Sequence, residues 1–163
     1  MSELNNHLQS KIISGIELNR VLAREKLKGS KIVFTNGCFD ILHRGHIEYL
    51  MAAANLGDIL IVGLNSDNSV KRIKGPSRPV QDQESRSKVM ASLYFVSYVA
   101  IFDEDTPFNL INQIKPIILV KGGDYKNLSE IVGYDIVTSN GGKVLTIPFV
   151  EGYSTTSILN KIG

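Results

Sequence analysis

Short apolar runs alternate with helix-favouring segments along most of this chain, and that alternation restricts its fold more than any other feature. The helical segments begin at capping residues such as Ser14 and Thr106 and end at glycines such as Gly29 and Gly57. Strands that alternate with helices form right-handed βαβ units. We therefore predict a Rossmann-like α/β fold, a three-layer sandwich with a parallel sheet of about five strands. The predicted strands are KIVFTNG at 31–37, DILIVGLNS at 58–66, YVAIF at 98–102, IILV at 117–120 and KVLTIPF at 143–149.

Length and charge narrow the class of protein. With 163 residues, 43% of them hydrophobic, the chain fits one compact domain with one core. We expect a single domain over 1–163, made of an N-terminal helical segment at 1–29 and an α/β core at 30–163. The 18 Lys and Arg nearly balance the 16 Asp and Glu, and no basic run is present. We therefore predict neither a nucleic-acid partner nor a membrane partner.

The cysteine content and the N-terminal stretch bear on the compartment. The single cysteine, Cys38, excludes an internal disulfide framework and a cysteine-rich metal site. The opening stretch MSELNNHLQS is polar and lacks the apolar core of a secretory signal. No apolar stretch approaches the roughly 20 residues that a membrane helix needs. These features predict a soluble cytoplasmic protein.

Four connections that follow predicted strands carry unusual residues. In parallel α/β folds the ligand lies outside the carboxyl ends of the strands, near a topological switch point. We read all four as loops that meet at that edge of the sheet. They are TNGCFDILHRGH at 35–46, NSDNSVKRIKGPSRPV at 65–80, KGGDY at 121–125 and EGYSTTSI at 151–158.

The first connection holds two of the three histidines in the chain. His43 and His46 are three residues apart, a spacing that puts both imidazoles on one face at the first turn of a helix. The positive end of the helix and its unpaired N–H groups point the same way. Gly45 between them leaves room for a bulky group. The arrangement predicts a phosphate site in which both imidazoles donate hydrogen bonds, although two surface histidines at a helix start are a simpler alternative.

The second connection places cations on a stiffened segment. Lys74 comes directly before Gly75 and Pro76, and Arg78 comes directly before Pro79. An arginine can grip a phosphate with two parallel bonds, whereas a lysine acts as a point charge. This segment suits a triphosphate or a sugar phosphate.

Together these segments resemble a known family. GCFDILHRGH resembles the HxGH signature of the nucleotidyltransferase superfamily, and GYSTTSI is similar to its second signature, a Ser/Thr-rich helix start. With GLNSDNSVKRIKGPSRPV and KGGDY, the chain resembles the heptose 1-phosphate adenylyltransferases of that superfamily over residues 11–162. The resemblance implies transfer of AMP from ATP to D-glycero-β-D-manno-heptose 1-phosphate. The products would be pyrophosphate and ADP-heptose, a precursor of the lipopolysaccharide core or another surface glycan.

The resemblance also implies three sets of site residues. The catalytic set is His43, His46, Lys74 and Arg78. The nucleotide-binding set is Asn36, Gly37, Cys38, Phe39, Gly45, Lys121, Gly122, Asp124, Tyr125, Ser154 and Thr155. The substrate-binding set is Asp40, Asn65, Asp67 and Arg86.

Several of these residues also have a plainer interpretation. Arg86 is as well suited to be a structural partner of Asp67 as to bind a ligand. The KGGDY segment can be an ordinary glycine turn, and Ser154 can simply cap its helix. A thiol nucleophile at Cys38 is a further alternative, but no third group is placed to orient its base.

The resemblance implies a cofactor and partners as well. Mg²⁺ would accompany ATP, held by phosphate oxygens and water with Asp40 as a possible helper. A homodimer is expected, and a separate sugar kinase would have to supply the sugar 1-phosphate.

Three other functions remain open. The chain can be a cytidylyltransferase acting on a polyol or ethanolamine phosphate, a nucleotide-binding regulator without activity, or a fragment of a class I tRNA synthetase. Phe149 stands where glycerol-phosphate-type cytidylyltransferases place an arginine, five residues before Ser154, which disfavours the first alternative. The intact motif residues disfavour the second, and the balanced charge disfavours the third.

Overall fold

The computed structural model describes residues 2–123, 125–150 and 152–162, apart from the side chains of residues 160 and 162. Helices and strands alternate through these residues, with a short 3₁₀ turn at Leu128–Glu130. The helices are α1 (Glu3–Lys11), α2 (Gly15–Lys28), α3 (Arg44–Ala54), α4 (Asp67–Lys74), α5 (Gln83–Ser92), α6 (Phe108–Ile114), α7 (Tyr134–Ser139) and α8 (Thr155–Ile162). The strands are β1 (Ile12–Ile13), β2 (Ile32–Gly37), β3 (Ile59–Asn65), β4 (Tyr98–Phe102), β5 (Ile118–Gly122) and β6 (Lys143–Ile147).

The strands form one parallel sheet in the order β1-β4-β3-β2-β5-β6. This confirms the predicted Rossmann-like parallel α/β fold. The sheet has one strand more than expected, because β1 pairs with β4 through Ile12 and Val99. The segment 1–29, predicted as helical, therefore contributes an edge strand between its two helices. A two-residue strand carries too little periodicity to stand out in a sequence.

Both faces of the sheet are covered by helices. Val33 and Phe34 are adjacent on β2, both fully buried, and belong to different apolar clusters, as the alternation of side chains along a strand requires. The cluster around Phe34 takes side chains from α2, α6 and α7. The cluster around Val33 takes them from α3 and α5, with Leu8 of α1 packed against it. The result is the three-layer sandwich that the sequence predicts.

The strand order locates the switch point. β2 lies between β3 and β5, so the chain winds to one side of β2 first and to the other side later. The carboxyl ends of β2 and β5 are Gly37 and Gly122, and in parallel sheets ligands bind outside the strand ends at such a switch point.

Two predicted boundaries are wrong. The segment 65–80, read as a loop, contains α4, because the Ser66 hydroxyl accepts the Ser69 amide at 3.0 Å and so caps a helix that ends at Gly75. Helix α6 is capped at Pro107 rather than at Thr106. Across the described ranges, no helix has the length and apolar content to span a bilayer.

Candidate active site

The two histidines of the first connection stack on each other where α3 begins. His43 is the N-cap residue of α3, and His46 lies in its first turn. Their ring centroids are 3.8 Å apart with an angle of 18° between the planes. Phe39 meets the His46 ring edge-on, with centroids 5.3 Å apart. The structure thus brings His43 and His46 together on one face, as the spacing predicts.

Burial disfavours the protonated form of both imidazoles. It lowers the pKa of His46 to about 4, and the neighbouring His43 acts in the same direction. Burial also lowers the pKa of His43. Among the described residues, neither Nδ1 atom has a hydrogen-bond partner, although both are buried. Buried polar atoms without partners are rare in proteins.

Two glycines make room for side chains of the protein itself. A Cβ at Gly45 would lie 3.1 Å from Nδ1 of His43 and 3.3 Å from Cβ of Tyr153. A Cβ at Gly37 would lie 2.9 Å from the ring of Phe39, a buried residue with a φ of +42°. Gly45 and Gly37 therefore permit close packing of this loop, which differs from the predicted direct approach of a ligand to Gly45.

A second helix start lies next to the first. The Ser154 hydroxyl accepts the Ser157 amide at 3.0 Å and caps α8. Thr155 Oγ1 makes a long, 3.5 Å hydrogen bond to the carbonyl of Ile41, and the Arg44 guanidinium lies 5.6 Å from the centroid of the Tyr153 ring. The N-termini of α3 and α8 therefore converge. Two sets of unpaired N–H groups with their positive dipole ends form a site for anions.

Asp40 is already fully engaged by the protein. Its Oδ2 accepts Nε of Arg78 at 2.6 Å, and its Oδ1 accepts the amides of Val80 at 2.8 Å and Gln81 at 3.1 Å. Burial would raise the pKa of Asp40, but these hydrogen bonds and the charge of Arg78 hold it below its usual value. Both carboxylate oxygens of Asp40 hold the Arg78–Gln81 segment, and the roles of Asp40 as a substrate contact or a helper for Mg²⁺ stay predictions.

Three more predicted substrate contacts are also engaged within the protein. Arg86 is fully buried and donates to Asp67 Oδ1 at 2.8 Å and to the carbonyls of Cys38 and Gln81 at 2.6 and 3.0 Å. Asn65 is buried and donates to Ser69 Oγ at 3.0 Å. The structural reading of Arg86 as the partner of Asp67 is correct. Direct substrate contact by Arg86 or Asn65 is not what the structure shows, because both side chains are enclosed.

The two predicted cations of the second connection differ in how they are held. Lys74 is the last residue of α4 and is exposed, whereas the Arg78 side chain is 18% exposed and fixed to Asp40. Burial raises the pKa of the Cys38 thiol, against the opposing charge of Lys74. That raised pKa is the opposite of what a thiol nucleophile needs.

The ends of β2 and β5 are joined by a lysine. Nζ of Lys121 donates to Oδ1 of Asn36, and burial lowers the pKa of Lys121 to about 8. These two predicted nucleotide-binding residues therefore meet at the switch point. Tyr125 is 44% exposed at the same end of the sheet. Asp124, also predicted to bind the nucleotide, lies outside the described residues.

Phe149 is a site residue that the motif analysis noted only as a departure from a pattern. Its ring lies on the two glycines after β5, since a Cβ at Gly122 would be 2.5 Å from Phe149 Cε1 and a Cβ at Gly123 would be 3.0 Å from Cε2. The glycines thus make room for this ring, and Phe149 is still 71% exposed. The signal in the sequence is a glycine pair and an aromatic residue at the ends of neighbouring strands.

The described residues form no cluster of three or more His, Cys, Asp or Glu side chains that could hold a metal ion.

Comparison with protein families identifies the family to which this chain belongs. The family model described as cytidylyltransferase-like matches residues 34–161, from β2 through most of α8. The chain belongs to the cytidylyltransferase-like family. The matched region includes both converging helix starts and every site residue named above.

The curated proteins to which this cytidylyltransferase-like chain is similar are longer than the chain. It is 55% identical over 153 residues to the bifunctional protein HldE of Trichlorobacter lovleyi, which covers 94% of this chain and 31% of that protein. It is 54% identical over 161 residues to the bifunctional protein HldE of Campylobacter concisus, with 99% and 33% covered. The chain thus spans about a third of the length of these relatives.

Solved structures agree with the fold. A lipopolysaccharide core biosynthesis protein from Thermoplasma volcanium is 31% identical with a TM-score of 0.62, covering 77% of this chain and 100% of that one. A pantoate-beta-alanine ligase from Francisella tularensis is 17% identical with a TM-score of 0.55, covering 93% of this chain and 77% of that one. The second similarity shows the fold alone.

Proposed function

We propose that this protein transfers AMP from ATP to D-glycero-β-D-manno-heptose 1-phosphate and releases pyrophosphate and ADP-heptose. The observation that carries the proposal is the stacked His43–His46 pair at the start of α3, directly beside the start of α8. Imidazole donors and two helix N-termini suit a phosphate whose charge increases during reaction. Similarity to proteins named HldE and to a lipopolysaccharide core biosynthesis protein supports a surface-glycan precursor as product.

The proposed chemistry is an in-line displacement. A phosphate oxygen of the sugar 1-phosphate attacks the α-phosphorus of ATP, and the bond from that phosphorus to the bridging oxygen of pyrophosphate breaks. The electron pair leaves with pyrophosphate toward the N-terminus of α8. A sugar phosphate is already deprotonated at neutral pH, so the protein needs to position the groups and stabilise charge rather than supply a strong base.

Each side chain has a stated part in this proposal. His43 and His46 donate hydrogen bonds to the crowded α-phosphate, while Lys74 and Arg78 bind the oxygens of the triphosphate or sugar phosphate. Lys121, with Asn36, adds a partly buried positive charge at the switch point. Mg²⁺ arriving with ATP would neutralise triphosphate charge, held by phosphate oxygens and water.

The proposal extends to the surroundings of the enzyme. The sugar 1-phosphate has to come from a sugar kinase. A homodimer and a cytoplasmic location, where ATP is available, complete the proposal. Light scattering on the purified protein tests the dimer, because one chain has a mass of 18.0 kDa.

A pyrophosphate-release screen tests the function. Four nucleoside triphosphates are combined with heptose, hexose, polyol and ethanolamine phosphates, with His46→Ala as the matched inactive control. Release with ATP and the heptose 1-phosphate, absent in the control, supports the proposal. The family name makes CTP with a polyol phosphate the second candidate, and a preference for that pair would replace our reading. Absence of release with every pair would favour a nucleotide-binding regulator.

A further inference from the structure

Two buried charged side chains hold one short segment from opposite sides. The segment is Arg78–Gln81, and the side chains are Asp40 and Arg86, which are 2% and 0% exposed. The amide of Gln81 donates to Asp40 Oδ1 at 3.1 Å, while the carbonyl of Gln81 accepts Nε of Arg86 at 3.0 Å. The backbone of Gln81 is therefore fixed at both its donor and its acceptor.

Arg86 connects this segment to the loop that carries the histidines. One of its terminal nitrogens donates to the carbonyl of Cys38 at 2.6 Å, and the other donates to Asp67 at the start of α4. Cys38 is two residues from Asp40 in the β2–α3 loop. The HxGH loop, the start of α4 and the Arg78–Gln81 segment thus share one buried hydrogen-bond network, of the kind that rigidifies a site when every member is satisfied.

The hydrogen bond to Asp40 leaves most of the Arg78 guanidinium available. Only Nε of Arg78 is engaged, at 2.6 Å from Asp40 Oδ2. Across the residues that the structure describes, the two terminal nitrogens of Arg78 make no hydrogen bond, and four N–H donors remain on them. Because a guanidinium is planar, fixing Nε sets the plane in which those donors can reach an anion.

We propose that Asp40 is a positioning residue that orients Arg78 toward the phosphates of the bound nucleotide, on a frame held by Arg86. The identity of that ligand rests on the proposed function, whereas the coupling of Asp40 to Arg78 does not. Orientation before binding reduces the freedom that the Arg78 side chain loses on contact with the ligand, which strengthens binding without any new contact. Asp40 itself touches neither nucleotide nor metal.

The substitution Asp40→Asn isolates this role. Asparagine has the same shape and keeps an Oδ1 that can accept the amides of Val80 and Gln81, but its amino group cannot accept Nε of Arg78. Asp40→Asn, Arg78→Ala and the double variant form a cycle. Asp105→Asn is the matched control, because it removes an exposed ion pair with Arg72 at the same edge of the sheet.

The kcat/KM values of these variants are first measured by steady-state kinetics with ATP. We expect Arg78→Ala to lower kcat/KM by about 10- to 100-fold and Asp40→Asn by about tenfold, the scale of losing a charge-assisted hydrogen bond or its orientation. Asp40→Asn should divide its effect between KM and kcat in the same proportion as Arg78→Ala. The double variant should stay within about threefold of Arg78→Ala, since residues acting through one contact are not additive. Asp105→Asn should match the wild type.

Two kinetic results would overturn the inference. Fully additive effects of Asp40→Asn and Arg78→Ala would show that Asp40 acts independently of Arg78. A change in the Mg²⁺ dependence caused by Asp40→Asn but not by Arg78→Ala would make Asp40 a metal contact.

A second readout separates this inference from the proposed function. If the wild type releases no pyrophosphate with any substrate pair, the proposed function fails, and the same four proteins are compared by urea unfolding without ligand. Asp40→Asn should lower the unfolding midpoint more in the wild type than in the Arg78→Ala background, because there the carboxylate has already lost its partner. Equal shifts in both backgrounds would overturn the inference.

Discussion

At the scale of single residues, the His43–His46 pair is the feature whose removal should cost most activity. The stacked rings lie side by side at the start of α3, where one phosphate could meet both imidazoles. We expect His43→Ala or His46→Ala to lower kcat by about two to three orders of magnitude, the scale of losing one transition-state donor, with a much smaller change in ATP affinity. The third histidine, exposed His7, supplies the control His7→Ala. Near-normal kcat in both site variants would contradict the assignment.

The same pair predicts how stability depends on pH. The folded-state pKa of His46 is about 4, below its ordinary value of 6.5. Above pH 6.5 both folded and unfolded chains are neutral at this residue, whereas between pH 6.5 and 4 the unfolded chain binds the proton first, so stability is lost as pH falls. The full difference would be at most about 3 kcal/mol, and partial exposure reduces it to about 1–2 kcal/mol.

Urea unfolding at several pH values measures this effect. His46→Asn removes the titrating group, so the variant should lose about 1–2 kcal/mol less of its unfolding free energy than the wild type between pH 6.5 and 4. The comparison cancels the carboxylates that titrate in both proteins. Parallel pH profiles for the two proteins would show that His46 is not held neutral by the fold.

At the scale of structural elements, α4 and the segment after it should respond to the ligand. Arg72 binds Asp105 at 2.6 Å and secures the body of the helix, and Arg78 is held by Asp40, whereas Lys74 between them is exposed. A triphosphate bound to Lys74 would cover this short stretch. We expect trypsin cleavage after Lys74 to slow at least about threefold when ATP and Mg²⁺ are present.

Limited proteolysis followed by mass spectrometry checks that expectation. Cleavage after Lys28, an exposed residue at the end of α2, serves as an internal control that should not change. Equal cleavage after Lys74 with and without saturating ATP would remove Lys74 from the proposed binding groups.

The order of elements could be predicted from the sequence, but some element boundaries could not. Strands β2 to β6 are β-branched or apolar runs of five to seven residues, long enough for their pattern to stand out. The sequence pattern does not predict helix α4, because the helix is short and strongly polar and its cap at Ser66 is a weak local signal. Strand β1 depends on pairing with β4, a contact between distant residues that no local pattern reports.

At the scale of the whole molecule, topology determines which segments meet, and packing determines which side chains are left for a ligand. The rule for parallel sheets predicted that four connections converge, and the structure brings the first and last together through Ile41 and Thr155. The same rule does not predict that Asp40 accepts backbone amides of the Arg78–Gln81 segment, or that Arg86 donates to the Cys38 carbonyl in the β2–α3 loop. Their roles depend on hydrogen bonds between residues about 40 and 48 positions apart. Only the three-dimensional structure therefore shows which charged residues of these motifs are exposed and which form hydrogen bonds inside the protein.

The choice of nucleotide is the property that depends on the most elements at once. Phe149 follows β6 and its ring occupies the space over Gly122 and Gly123 at the end of β5, where it supplies no positive charge. Adenine and cytosine present different hydrogen-bonding edges, so a site that satisfies one leaves buried polar groups unpaired with the other. We expect kcat/KM to favour ATP over CTP by at least about tenfold to a hundredfold, the effect of one or two unmet hydrogen bonds.

A competition experiment measures this preference for ATP over CTP. Equal amounts of both nucleotides are offered together with the heptose 1-phosphate, and the two sugar nucleotides are separated by mass. Phe149→Arg, which restores the arginine of the glycerol-phosphate-type pattern, should narrow that preference, while the matched variant Phe149→Leu should not move it toward CTP. A wild-type product ratio in which CDP-heptose equals or exceeds ADP-heptose would assign the enzyme to cytidylyl transfer instead.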